Sequence, residues 1–344
     1  MADPNKWLGL MKWSMKYSDG TAPSEFKEIK KEDREFLEKV LKEGVIDETE
    51  RMRQILRILR GEHPSAVFAK DDEDDAGDDD DAANKQQLEE ATPEELADYK
   101  DALLDELLTR VDQIDNAMNF VKMQGLVVLR DVVQQDARAP TRALAAEVAS
   151  VVVQNNPFSQ SAAVESGLVE VLCALAGDAD ATCRAKALLA ISCLVRHHPA
   201  AEARFLSEAC GGLRLLERFL TSSIDADADA RRLQRKALFF ARYLVRSSSD
   251  TARALLASGF LVPAAAALVA QDDDIDLSES SLEALTEFAA LGAAFTAACK
   301  QPELALVDTL SARIAAIDAL DADEKPFHLE IQQLARNLRT ILTA

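Results

Sequence analysis

Arginines recur at matching positions in three helical blocks of the sequence, and their spacing is suited to binding a partner. The blocks are RALAAEVASVVVQNNP, RAKALLAISCLVRHHP and QRKALFFARYLVRSSS. Aligned, they form three polar columns: Arg142, Arg184 and Gln234; Ser150, Ser192 and Arg242; Gln154, Arg196 and Arg246. Lys186 and Arg235 lie next to the first column. Because the columns are positions i, i+8 and i+12 of each helix, they predict one polar, locally basic stripe.

Other residues that could carry chemistry lack the spacing that catalysis or metal binding needs. The four histidines, His63, His197, His198 and His328, are scattered, and the five cysteines include no CxxC pair. No phosphate loop, nucleophile elbow or HExxH motif occurs. We expect His197 and His198 at a helix end, where their charge would suit the helix dipole. The sequence therefore predicts a protein that is not an enzyme and has no metal or other cofactor.

Composition narrows the class of partner. The 344 residues carry a net charge of −21, which repels phosphate backbones and anionic lipid head groups, so a protein partner is expected. An odd number of cysteines argues against a disulfide framework. The first residues, MADPNKWLGL, lack the apolar core of a secretion signal. We expect a cytoplasmic protein, with access to the nucleus, that acts as a monomer.

Three segments follow one another along the chain. Residues 1–62 hold both tryptophans and helix-like sequence around 36–41 and 52–59, so they predict a small helical module. Residues 63–92 include DDEDDAGDDDD, with nine acids in eleven residues, which predicts a disordered linker. At Thr92, the sequence TPEEL combines an N-cap, a proline and early acids. It predicts the start of a helical domain over 93–344.

That domain repeats itself. Glycines precede apolar helices at Gly125, Gly167, Gly212 and Gly259, in steps of 42, 45 and 47 residues. Arg142 and Arg184 share the step of 42. A period near 42 is typical of armadillo or HEAT units, and each glycine is expected to take a positive φ in a sharp turn. The prediction is all-α: an armadillo-like α-solenoid of about four to five repeats, the fifth around 282–300, with a terminal cap.

In an armadillo unit the last helix lines the concave wall, so the polar columns predict a partner-binding face. The alternative is a solvated helix face that binds nothing. An armadillo adaptor for basic peptides would normally show a tryptophan and asparagine ladder there. Arginines replace it here, which disfavours a basic peptide and favours an acidic folded surface.

The amino-terminal stretch KWLGLMKWSMKYSDG places apolar residues at helical spacing with lysines between them. Three interpretations remain open: core of its own module, a flexible apolar peptide that docks in a groove of a partner, and a membrane-surface helix. The apolar side chains concerned are Trp7, Leu8, Leu10, Met11, Trp13 and Met15.

Several blocks resemble the cytosolic armadillo-type nucleotide exchange factors of heat shock protein 70 chaperones, the heat-shock-seventy-binding-protein family. The matching blocks are WLGLMKWSMKYSDGT, IDNAMNFVKMQGL, SVVVQNNPFSQ, KALLAISCLVR and KQPELALVDTL. The departures are the aspartate insert at 71–81, the acidic loop SSIDADADA and an alanine-rich fourth unit.

The resemblance implies a co-chaperone whose concave face grips one lobe of the ATPase domain of the chaperone and opens it, so that ADP leaves. It also implies that the amino-terminal segment from Trp7 to Met15 competes with client polypeptide for the chaperone's substrate groove. An armadillo scaffold or adaptor without exchange activity is the alternative.

Overall fold

The computed structural model describes residues 31, 47–68, 86–221, 228–269 and 274–344. By internal packing the chain divides into two units, Met1–Ile55 and Leu56–Ala344. In the first unit the described residues include the start of helix α1 (Glu48–Leu59), where the Asp47 carboxylate accepts hydrogen bonds from the backbone of Thr49 and Glu50. The side chains Trp7, Leu8, Leu10, Met11, Trp13 and Met15 lie outside the described residues.

The expected linker is ordered at both ends. Residues Pro64–Phe68 form the short helix α2, with Val67 buried. At the other end Thr92 begins helix α3 (Pro93–Val111) with a reciprocal capping box: its hydroxyl accepts from the Glu95 amide, and the Glu95 carboxylate accepts from the Thr92 amide. These bonds lower the pKa of Glu95. The residues Thr92 to Glu95 thus form the N-terminal cap of a helix, as their sequence predicts.

Five helical triplets follow α3, and no strand occurs among the residues described. The first helices are α4 (Ile114–Lys122), α7 (Pro157–Glu165), α10 (Pro199–Leu206), α13 (Ser249–Ala257) and α16 (Ala293–Cys299). The second helices are α5 (Gly125–Gln135), α8 (Leu168–Leu175), α11 (Gly212–Leu220), α14 (Leu261–Val269) and α17 (Leu306–Asp318). The third helices are α6 (Ala139–Val153), α9 (Ala181–Val195), α12 (Ala228–Ser247), α15 (Ile275–Ala290) and α18 (Leu329–Thr343). The predicted all-α solenoid is confirmed; the fifth triplet begins at Ala293.

The turn between first and second helices uses glycine in two ways. Gly167 and Gly259 have φ of +76° and +74°, as predicted. At Gly125 and Gly212 the prediction is wrong, because the left-handed residue is the one before, Gln124 or Gly211. A Cβ on Gly125 would lie 2.4 Å from the Phe120 ring, and one on Gly212 would lie 2.5 Å from the carbonyl oxygen of Phe205. There, glycine permits close packing on the first helix.

The third helices stack on one another, α3 on α6, α6 on α9 and onward to α18. Small side chains such as Ala145, Ala146 and Ala149 are fully buried and let neighbouring helices approach closely. The third helices therefore form a continuous row, on which the polar columns lie.

Membrane-spanning character was tested over the described residues. No single helix there is both long and apolar enough to cross a bilayer. The helices α13 and α14 reach that length and composition only together, with a bend of 71° between them.

Candidate partner-binding surface

The arginines of the first column, Arg142 and Arg184, bind other groups of this chain. Arg142 donates to the carbonyl oxygens of Asp136 and Ala137 at 3.0 and 2.9 Å, and Arg184 donates to the equivalent oxygens of Asp178 and Ala179. Arg142 also pairs with the Asp178 carboxylate at 2.8 Å. These arginines therefore tie the loop before each third helix to the first turn of that helix.

Two of the predicted contact residues are buried, which corrects their placement on an exposed stripe. Ser150 is 4% exposed and its hydroxyl donates to the Glu147 carbonyl oxygen, while Gln234 is 1% exposed. Ser192 is half-buried. The reason is angular: at 3.6 residues per turn, position i+8 is rotated by about 80° from position i, and i+12 by about 120°. The columns therefore cover a third of the helix circumference and face different surroundings.

Ion pairs link neighbouring third helices at three junctions. Between α3 and α6, Arg138 pairs with Asp98 at 2.7 Å. Between α6 and α9, Lys186 pairs with Glu147. Between α12 and α15 the pairs are Arg235 with Asp274 and Asp276, and Arg242 with Glu283 and Glu287. The hydrogen bond from Arg242 lowers the pKa of Glu287.

The third column lies nearest solvent. Gln154 is exposed at the end of α6. The side chain of Arg246 is 56% exposed and lies 3.6 Å from the Glu287 carboxylate. Arg196 is half-buried and stacks on Phe239, with its guanidinium carbon 4.5 Å from the ring centroid. Of the predicted residues, Arg246, Gln154 and Arg196 are therefore the most available to a partner.

The junction between α9 and α12 differs from these three junctions. Helix α9 contains no carboxylate, and no ion pair joins the described residues of α9 to those of α12. The contact here is aromatic: Tyr243 accepts a hydrogen bond from the His197 amide at 2.7 Å, and its ring meets His197 edge-on. Arg196 also faces the Tyr243 ring at 5.8 Å.

On α12, four side chains at helical spacing were missed by sequence reasoning: Arg232, Lys236, Phe239 and Tyr243. Phe239 is 55% exposed, whereas its neighbour Phe240 is buried. The adjacent pair Phe239 and Phe240 could have predicted an exposed ring, since neighbouring residues on a helix face different directions and only one of the two phenylalanines can enter the core.

The histidines also differ from expectation. His197 takes φ of +59° and His198 caps the start of α10, with Nδ1 accepting from the Ala201 amide at 3.1 Å. Asn155 and Asn156 occupy the same places one repeat earlier. The prediction that the charge of His198 would suit a helix dipole is therefore wrong: the ring lies at the amino terminus of α10 and accepts a hydrogen bond there. No group of three or more potential metal ligands occurs in the described part of the chain.

Part of the sequence, including helices on which the candidate surface lies, is similar to a known protein family. Residues 116–244 match the family model of the SIL1/FES1/HPBP1 C-terminal domain, which takes in most of α4 and runs to α12. The nucleotide exchange factor SIL1 of Xenopus laevis is 33% identical over 114 residues, covering 32% of this chain and 24% of the relative. The match thus spans about a quarter of the length of that curated relative.

Solved structures agree on the fold. A designed armadillo repeat protein, YIII(Dq)4CqI, aligns with a TM-score of 0.55 at 16% identity, covering 75% of this chain and 97% of the other. A second designed armadillo repeat protein, solved in complex with the peptide (KR)4, gives a TM-score of 0.56 at 15% identity with the same coverage. These structures therefore support the predicted armadillo fold, while the likeness to a nucleotide exchange factor rests on residues 116–244 and on the match to SIL1.

Proposed function

We propose that this protein is a non-enzymatic nucleotide exchange factor that binds the ATPase domain of a heat shock protein 70 chaperone and promotes release of ADP. The observation that carries the proposal is the match of residues 116–244 to the SIL1/FES1/HPBP1 C-terminal domain. That segment contains the three third helices α6, α9 and α12, which carry the polar columns. The proposed contact surface is the row of third helices, acting one-to-one on the chaperone.

The mechanism needs no catalytic residue. A factor that binds the open ATPase domain more tightly than the ADP-closed one shifts the population toward the open form. Its effect is limited by that difference in affinity: moving an equilibrium from 1:99 to 99:1 needs a preference of about 10⁴-fold. Rigid packing of the third helices supports this action, because a stiff surface can select one separation of the two lobes.

Release of labelled ADP from a purified cytosolic chaperone tests the proposal. The intact protein is expected to accelerate release, and Arg196→Glu with Arg246→Glu to abolish the acceleration. Because Arg196 is half-buried, the single variant Arg246→Glu is measured as well, and Lys300→Glu serves as control, since Lys300 is exposed in the fifth triplet and lies outside the third helices. No acceleration by the intact protein would exclude the exchange function.

An armadillo adaptor without exchange activity is the second candidate, because a solved protein of similar fold was captured with a bound peptide. Chaperone binding that leaves ADP release unchanged, or capture of other proteins alone, would favour it. The arginines on the third helices argue against a basic peptide as the ligand.

We also propose a cytoplasmic location. All five cysteines are free thiols and four of them are buried, which fits a reducing compartment. Fluorescence microscopy of the tagged protein would test this placement.

A further inference from the structure

The exposed face of α12 carries two cations, Arg232 and Lys236, that no described residue pairs with. Arg232, Lys236, Phe239, Tyr243 and Arg246 follow one another at steps of four, three, four and three residues, so they share one narrow face of the helix, here called the α12 stripe. Neither Arg232 nor Lys236 forms an ion pair or hydrogen bond with any residue that the structure describes. The stripe thus combines cations that have no described ion-pair partner with an exposed aromatic ring.

The helices on either side of the stripe explain why Arg232 and Lys236 have no ion-pair partner among the described residues. Helix α9, on one side, offers Lys186 and no carboxylate, and Lys186 is itself bound to Glu147 of α6. On the other side, the carboxylates of Asp276, Glu283 and Glu287 are already paired with arginines of α12. Burial, together with the nearby charges of Arg232 and Lys186, lowers the pKa of Lys236, and the Glu147 carboxylate opposes this shift. Like charges have therefore been brought together with only partial compensation from the described residues, an arrangement common at binding sites.

We propose that the α12 stripe is the docking site for an acidic surface segment of the chaperone, with Phe239 receiving an apolar side chain that lies beside the carboxylates. This inference rests on the proposed function and adds the position and chemistry of the contact. Charge complementarity supports it, since carboxylates placed here would neutralise Arg232 and Lys236 together. Arg196, stacked on Phe239, holds the ring in place and adds positive charge at its edge.

The net charge of the chain makes the stripe selective. At −21 the molecule as a whole repels an acidic partner, so attraction is confined to within about 10 Å of the stripe at ordinary salt. An acidic segment is therefore expected to bind only when it is directly docked on the stripe. Binding should weaken as salt rises, and this dependence should be lost when the charges are removed.

Affinity for the chaperone, measured at low and high salt, tests the stripe. The variant Arg232→Gln with Lys236→Gln is expected to bind about 10-fold more weakly and to lose most of the salt dependence. Phe239→Ser should bind about 10-fold more weakly with the salt dependence retained. The control, Lys300→Gln with Arg336→Gln, changes net charge equally at exposed positions of the fifth triplet and is expected to bind as the intact protein does.

Thermal unfolding separates this role from a structural one. Because Lys236 is held charged among like charges, Lys236→Gln should leave the melting temperature unchanged or raise it while weakening binding. A lower melting temperature with weaker binding would assign Lys236 to the fold. Binding by the charge variant equal to that of the intact protein would overturn the proposal, even if exchange activity is established.

A second probe keeps the inference testable if no chaperone binds. A fluorescent synthetic peptide alternating glutamate and leucine is titrated into the full-length protein, alongside a peptide of glutamate alone. Binding of the first peptide that is lost in the charge variant and in Phe239→Ser would support the stripe while the exchange function falls. Failure of the intact protein to bind both the chaperone and the glutamate–leucine peptide would reject both proposals.

Discussion

At the scale of single residues, His198 acts as a helix cap. Its Nδ1 accepts from the Ala201 amide, and its Nε2 lies 3.0 Å from the Ser161 hydroxyl. We expect His198→Ala to lower the free energy of unfolding by about 1 kcal/mol, because an amide at the start of α10 loses its acceptor. His198→Asn should keep most of the stability, as Asn156 does one repeat earlier. Urea denaturation measures both variants, and an equal loss in the two would contradict the capping role.

Gly125 gives a second prediction at this scale. An alanine there would meet the Phe120 ring, so Gly125→Ala should destabilise the protein by about 1–3 kcal/mol through overpacking. In a Phe120→Leu background the added alanine should be tolerated better. Gly167→Ala is the control: its Cβ would lie 4.0 Å from Glu170 Oε2, an ordinary contact, but its φ is +76°, so its loss should be the same in both backgrounds. Denaturation of all five variants measures the coupling, and no rescue by Phe120→Leu would exclude the clash.

Single residues also show which features could not be predicted from the sequence. The period of 42 identified equivalent positions, and Arg142 and Arg184 do make equivalent bonds. Equivalent positions in the repeats do not reveal whether a side chain is buried, however. On α6 a rotation of about 80° around the helix axis separates Arg142 from the buried Ser150. The left-handed residue before Gly125 was missed because it is Gln124, a residue type with no turn signal.

Among the helices, the pair α12 and α15 depends on the ion pairs of Arg242. Since Arg242 lowers the pKa of Glu287 below its ordinary value of 4.5, the resulting stability is fully present above that value and is lost as pH falls through the folded-state pKa. Arg242→Gln should therefore lower the free energy of unfolding by about 2 kcal/mol at pH 7. The difference from the intact protein should shrink toward pH 3.

Chemical denaturation at several pH values checks this dependence. Arg253→Gln, which removes only an exposed pair with Asp250, should change stability by less than about 0.5 kcal/mol at any pH. A constant difference between Arg242→Gln and the intact protein down to pH 3 would show that the ion pair to Glu287 does not supply the stability.

The order of helices was predictable, but their cross-links were not. Caps and periodicity fix where α3 and the third helices begin, since both are local signals. The acids that hold Arg242 lie 41 and 45 residues away in α15, and nothing in the sequence around Arg242 identifies them. The α12 stripe was missed for the same reason: among the described residues, α9 has no acid and Asp276, Glu283 and Glu287 of α15 are paired with other arginines.

For the molecule as a whole, stability and binding are divided among the junctions. Ion pairs join the third helices where α3 meets α6, α6 meets α9 and α12 meets α15. The junction of α9 and α12 is held by aromatic contacts, and Arg232 and Lys236 beside it have no ion-pair partner among the described residues. Because that junction lies in the segment matched to the SIL1/FES1/HPBP1 C-terminal domain, a partner that supplies carboxylates there would add the missing ion pairs under the proposed function.

The amino-terminal segment allows the last prediction, at the level of the whole chain. Trp7, Leu8, Leu10, Met11, Trp13 and Met15 are expected to compete with client polypeptide for the substrate groove of the chaperone. If so, deleting residues 1–20 should leave stimulated ADP release intact, because the third helices are untouched, and should slow the release of a bound client. Fluorescence of a labelled client peptide and of labelled ADP, followed in one reaction, measures both. Loss of both activities would mean that the segment supports the armadillo fold, whereas unchanged client release would remove the competing role.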